Sequence, residues 1–116
     1  MKTILLCDDE EILRDLMADI IYNFNFSFRY NILKASSGME GLKILDENQV
    51  DLIISDVRMP NGYGYVFVDN PKHVPVIFTT GFVEPEISEK IKGNVVLTKP
   101  VDFRRLEKLI KQNLGE

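Results

Sequence analysis

A chain of 116 residues, 45% of them apolar, is the size of one domain, residues 1–116, and can bury a core. Its net charge of −4 argues against an electrostatic nucleic-acid binder, and its one cysteine, Cys7, precludes an internal disulfide and suits a reducing, cytoplasmic setting. The first apolar run, residues 4–7, is too short for a signal peptide or a membrane span and is followed at once by four acids.

That run reads as a strand ending on Asp8 and Asp9. Residues 11–24 carry the clearest helical pattern: Ile12, Leu13, Leu16, Met17, Ile20, Ile21 and Phe24 form one apolar stripe, with Arg14, Asp15 and Asp19 on the other face. Tyr22, Phe24, Phe26, Phe28 and Tyr30 then alternate with polar residues, which fits either an early strand or an aromatic loop packed over that helix. A second helix is expected from a cap at Ser37, with Glu40 reaching back, to about Asn48, with Met39, Leu42 and Leu45 facing inward. Residues 52–55 form the next β-rich run and end on Asp56. Between Gly64 and Pro71 the β-branched and aromatic residues disfavour a helix, so a third helix there has at most two turns. His73 falls in an exposed loop. Residues 76–79 lead to Thr80, and a short fourth helix runs from Pro85 to Gly93. Residues 95–98 lead to Lys99-Pro100. A last helix over residues 102–114 buries Phe103, Leu106, Leu109, Ile110 and Leu114 and exposes Arg104, Arg105, Lys108 and Lys111.

Short β-rich runs alternating with helical patterns indicate βαβ units and a parallel sheet. In such a sheet ligands bind at the carboxyl ends of the strands, so Asp8, Asp9, Asp56, Thr80 and Lys99 share one rim. Three carboxylates, a hydroxyl and an ammonium make a site for a divalent cation and a phosphoryl group. Each piece alone has a plainer reading. Asp8 with Glu11 has the spacing of a capping box, Asp56 suits a turn and Lys99-Pro100 an ordinary strand exit. Their joint placement favours the site. Cys7 reads as a small buried apolar side chain.

Asp8-Asp9-Glu10, Ser55-Asp56-Val57-Arg58-Met59-Pro60, Gly64 eight residues beyond Asp56, Thr80-Gly81 and Lys99-Pro100 follow in this order along the whole chain. In these motifs the sequence resembles the receiver domain of two-component response regulators, of the stand-alone kind similar to chemotaxis regulators. The resemblance implies an α/β, flavodoxin-like, doubly wound fold, with a five-stranded parallel sheet in the order 2-1-3-4-5; the residues between the later strands shorten its third and fourth helices. It makes Asp56 the phosphoacceptor. Asp8, Asp9, Asp56 and the backbone carbonyl of Arg58 become the ligands of Mg²⁺, and Thr80, Gly81 and Lys99 the phosphoryl-binding residues. Because the family places a small residue after the functional hydroxyl, Gly81 selects Thr80, and Thr79 is left to pack. Pro100 takes a conformational role. Val96 stands at the switch position, where the family often has an aromatic residue and a stiff valine has little swing. Arg58 and Phe82 would border the phosphoryl group and slow its loss.

The resemblance implies a phosphoacceptor switch or relay protein that takes its phosphoryl group from a histidine kinase or phosphotransfer protein. It would signal by contact with a downstream protein, with neither nucleic acid nor membrane as partner. It would not be an enzyme beyond assisting its own phosphorylation and dephosphorylation, and the end of the chain after the last helix suits a stand-alone protein. One alternative is an unphosphorylated receiver-like interaction module, which would not require the intact acidic set and lysine. Another is a haloacid-type phosphatase, which requires a second aspartate two residues after the nucleophile, where Arg58 stands. The basic face of the last helix is either a docking surface for an acidic partner or a solvated face.

Overall fold

The computed structural model describes residues 1–59, 64–81, 85–91 and 93–115. Five strands pair in parallel: β1 (Lys2–Cys7), β2 (Tyr30–Ala35), β3 (Leu52–Asp56), β4 (Val76–Thr80) and β5 (Val95–Thr98). Their order, β2-β1-β3-β4-β5, is the expected doubly wound one. Cys7 pairs with Ser55, Asp56 with Thr79 and Thr80 with Thr98, so the carboxyl ends of four strands meet on one rim. No apolar run marks β2, because Asn31 and Lys34 interrupt it and an edge strand stays half-buried for most of its length. The aromatic alternation ahead of β2 is a loop. Phe26 stacks on Phe28 with ring centroids 4.8 Å apart, Tyr22 on Tyr30 at 5.6 Å, and the Tyr30 hydroxyl donates to the Ile21 carbonyl at 3.1 Å.

Side chains alternate across a strand, so a sheet covered on both sides feeds two cores. Leu5, Cys7, Ile53 and Phe78 pack on one side with Leu45 of α2 (Gly38–Glu47), Phe67 of a single 3₁₀ turn (Gly64–Phe67) and Ile91 just beyond α3 (Pro85–Lys90). Ile4, Leu6, Leu52, Ile54 and Ile77 pack on the other with α1 (Glu11–Tyr22) and α4 (Phe103–Leu114). The described helix of the third connection is thus one tight 3₁₀ turn, and α3 less than two turns of helix. No described helix is long and apolar enough to cross a membrane.

The helices settle on faces that differ in part from their apolar stripes. Helix α1 ends at Tyr22 rather than Phe24, and its buried residues are Ala18 and Ile21. At about 100° per residue the stripe of residues 12, 13, 16 and 20 is rotated by roughly 150° from that line. Ile12 is accordingly 82% exposed and Leu16 52%, while Arg14, seven residues before Ile21, lies on the inward line and is half-buried. In α2 the cap is Ser37, whose hydroxyl accepts from the Glu40 amide at 3.1 Å, but the Glu40 carboxylate accepts from the Ser36 hydroxyl instead of reaching back. Gly38, Gly41 and Leu45 face the core and Met39 is 69% exposed, because the fully buried Phe67 ring needs the hollow at Gly41, where a Cβ would lie 2.5 Å from Phe67 Cζ. Helix α4 is capped by Asp102, which accepts from the amides of Arg104 and Arg105, and buries Leu106, Ile110 and Leu114. Phe103, in its first turn, is 40% exposed beside a groove rather than in the core. His73 sits in an exposed loop with φ of 54°.

Candidate functional site

Strand pairing places the acidic residues. The Asp8 amide donates to the Ala35 carbonyl at 3.1 Å, one rung beyond the β1–β2 ladder, and Asp8 Oδ1 accepts from the Glu10 amide at 2.9 Å. This is an aspartate turn. The residue at the cap of α1 is Glu10, with no side-chain cap bond, so the capping-box reading of Asp8 with Glu11 does not hold. Asp56 closes β3 and is buried, with 8% exposure. The next residue, Val57, donates its amide to the Thr79 carbonyl at 3.0 Å, and the Arg58 amide donates to Asp56 Oδ1 at 3.4 Å. Across the rim the Lys99 amide donates to the Thr80 carbonyl at 2.8 Å, and Lys99 Nζ donates to Asp56 Oδ2 at 3.0 Å.

One carboxylate oxygen from each of Asp8, Asp9 and Asp56 lies within 4.8 Å of the others. An oxygen-only donor set on clustered carboxylates fits a hard divalent cation such as Mg²⁺. Burial raises the pKa of Asp8 first, and the charges of Asp56 and Asp9 raise it further, against the opposing Glu10 amide and Lys99. For Lys99, burial works against the ammonium, but the hydrogen bond and charge of Asp56, with Asp8 and Glu10, outweigh it and raise the pKa. Lys99 is therefore a cation at neutral pH. It offsets part of the repulsion among the carboxylates.

Of the remaining expected residues, Thr80 and Gly81 stand at the same rim. Thr80 is buried at the end of β4, and Thr79 is buried beside Asp56 in the register. Gly81 is exposed, and a Cβ there would meet nothing within 4 Å. Val96 is half-buried beside Phe78 on the α2 side of the sheet, and the Lys99–Pro100 peptide is cis. Pro60 and Phe82 lie outside the described residues. Cys7 is buried directly beneath, its thiol donating to the Ser37 carbonyl at 3.2 Å and lying 3.6 Å from Met59 Sδ. Burial pushes that thiol up to about 12, which keeps it in the protonated form near neutrality.

Two features escaped the sequence reading. Arg14 Nη1 donates to the Asp8 carbonyl at 2.9 Å, although periodicity set Arg14 on the outer face of the helix. Its spacing of seven from Ile21 was the available signal. A groove of about 230 Å³, lined by Leu13, Leu16, Met17, Ile20, Val101 and Phe103, opens beside Asp8, Thr79 and Lys99.

Residues 4–111 match the family model described as the response regulator receiver domain. The polar-differentiation response regulator DivK of Brucella anthropi is 27% identical, with 99% of this chain and 98% of DivK covered. The transcriptional regulatory protein HptR of Staphylococcus aureus is 32% identical over 95% of this chain, which spans only 45% of HptR. Among solved structures, the chemotaxis protein CheY4 of Vibrio cholerae is similar with a TM-score of 0.79 at 27% identity, covering 97% of this chain and 98% of its own.

Proposed function

The chain belongs to the response regulator receiver domain family, and on that footing we propose that it is a phosphoacceptor switch or relay protein of a two-component system. The observation that carries this reading is the Asp56 carboxylate, set at the strand ends within 4.8 Å of the Asp8 and Asp9 oxygens and 3.0 Å from Lys99 Nζ. A carboxylate oxygen of Asp56 attacks the phosphorus of a phosphohistidine presented by a histidine kinase or phosphotransfer protein. The new O–P bond forms as the P–N bond breaks, and the imidazole leaves with that electron pair and takes up a proton. Asp8, Asp9, Asp56 and the backbone carbonyl of Arg58 would hold Mg²⁺, which when bound supplies the positive charge that reconciles three carboxylates with an incoming phosphate. Lys99 exchanges its Asp56 oxygen for a phosphoryl oxygen, the Thr80 hydroxyl donates to another, and Gly81 keeps the rim open to the donor. Receiver domains are in general signalling modules rather than enzymes, and the output proceeds by contact with a downstream protein.

The test is to incubate the chain with Mg²⁺ and a small acyl phosphate donor and to follow intact mass. One base-labile phosphoryl group is expected on the wild type, none on Asp56→Asn, and none when Mg²⁺ is chelated. An unlabelled wild type, or full labelling of Asp56→Asn, overturns the proposal.

A further inference from the structure

The inward line of α1 runs through Arg14, Met17, Ala18 and Ile21, so a guanidinium stands at the rim where the rest of the line is apolar. Nη1 donates to the Asp8 carbonyl at 2.9 Å, while the Arg14 amide donates to the Glu10 carbonyl at 2.8 Å in the first turn of the helix. Nε is buried with no hydrogen-bond partner among the described residues. The side chain therefore gives up one donor in the position from which it reaches that carbonyl.

Asp8 is tied at three points: its amide to Ala35, its Oδ1 to the Glu10 amide and its carbonyl to Arg14. A pinned carbonyl fixes the plane of the peptide joining Asp8 to Asp9. It thereby sets the bearing of both carboxylates toward Asp56. We propose that Arg14 is a positioning residue for the divalent-cation site, holding the Asp8–Asp9 peptide so that the two carboxylates converge with Asp56. This rests on the Mg²⁺ reading above.

Charge alone argues for the opposite outcome, because a fixed cation beside a dication site weakens binding. Removing Arg14 should tighten Mg²⁺ if its charge is what counts, and loosen it if orientation dominates. Partners that orient metal ligands are typically worth about 10–100-fold in affinity. Isothermal titration of Mg²⁺ into the full chain, with folding checked by circular dichroism, decides between them. Arg14→Met should bind about 10-fold more weakly than the wild type, and Arg14→Lys, which keeps a donor and the charge on a shorter stem, should fall between the two. Arg14→Met at or above wild-type affinity overturns the proposal, as does Arg14→Lys no tighter than Arg14→Met. A merely structural role would lower the urea midpoint and leave the affinity of the folded protein unchanged, which also overturns it. If Arg14→Met does not fold, Arg14→Lys carries the test, and wild-type affinity in that variant refutes the idea. A wild type that fails to bind Mg²⁺ is a separate result, which removes the cation site and this inference with it.

Discussion

Asp8→Asn removes a charge while leaving the contact intact, because an asparagine Oδ1 still accepts from the Glu10 amide. In the metal-free protein the change should stabilise the fold. Two like charges within 4.8 Å of one another repel by about 3–4 kcal/mol or more at an effective dielectric of about 20. Attraction to Lys99 and solvent access to a half-buried Asp8 offset most of this, leaving a net gain on the order of 1 kcal/mol. The pH dependence has a definite sign. Burial and the neighbouring carboxylates raise the folded-state pKa of Asp8, so the native state keeps its proton to higher pH than the unfolded chain and loses stability as pH rises through that interval. The penalty is complete above the raised pKa and absent below the ordinary carboxylate range, where the advantage of Asp8→Asn vanishes. Mg²⁺ reverses the order, since a cation bound only to the native state adds stability by mass action and the wild type holds it more tightly. Urea unfolding followed by circular dichroism, with chelator and with excess Mg²⁺, measures each step. A variant less stable than the wild type in chelator at neutral pH, or an advantage that grows on acidification, would refute the reasoning.

Other substitutions probe the scaffold that carries the site. Gly41→Ala should destabilise by about 1–2 kcal/mol, because overpacking against the buried Phe67 ring exceeds the gain in helix propensity; pairing it with Phe67→Leu should recover part of the loss in a double-mutant cycle. Asn70→Ala should cost about 3 kcal/mol by urea unfolding, since the buried Asn70 amide donates to the Phe67 and Val74 carbonyls and its oxygen accepts from the Val74 amide. Asp102→Ala should cost about 1 kcal/mol, with faster hydrogen exchange at the amides of Arg104 and Arg105, through loss of the α4 cap.

The strand ends of β1, β3, β4 and β5 were legible because each is announced by a short apolar run that stops on a polar residue, and a doubly wound sheet brings such ends together whatever their sequence separation. β2 was not, since an edge strand tolerates Asn31 and Lys34 where a central strand would not. Helix faces were legible only in part. A hydrophobic period locates a stripe, but the wide stripe of α1 includes residues that never reach the sheet, and the azimuth was decided by contacts outside each helix. Arg14 turned inward toward the Asp8 carbonyl, and Gly41 turned inward to seat Phe67. Ile12, Leu16 and Met39 were left outside as a consequence.

That division has a physical basis in how the site is held. Asp8 is tied by its amide to the end of β2, Val57 by its amide to β4, and Lys99 by its amide to the Thr80 carbonyl. Each tie runs from one strand end to the neighbouring strand, so the geometry of the rim follows from sheet register rather than from the helices that connect the strands. The described helical part of the connection after β3 can therefore be as short as one 3₁₀ turn, and α3 six residues, while Lys99 Nζ stays 3.0 Å from Asp56. The exception is α1. Through Arg14 it touches the site directly, so among the described connections it is the one whose rotation or displacement would be felt at Asp8.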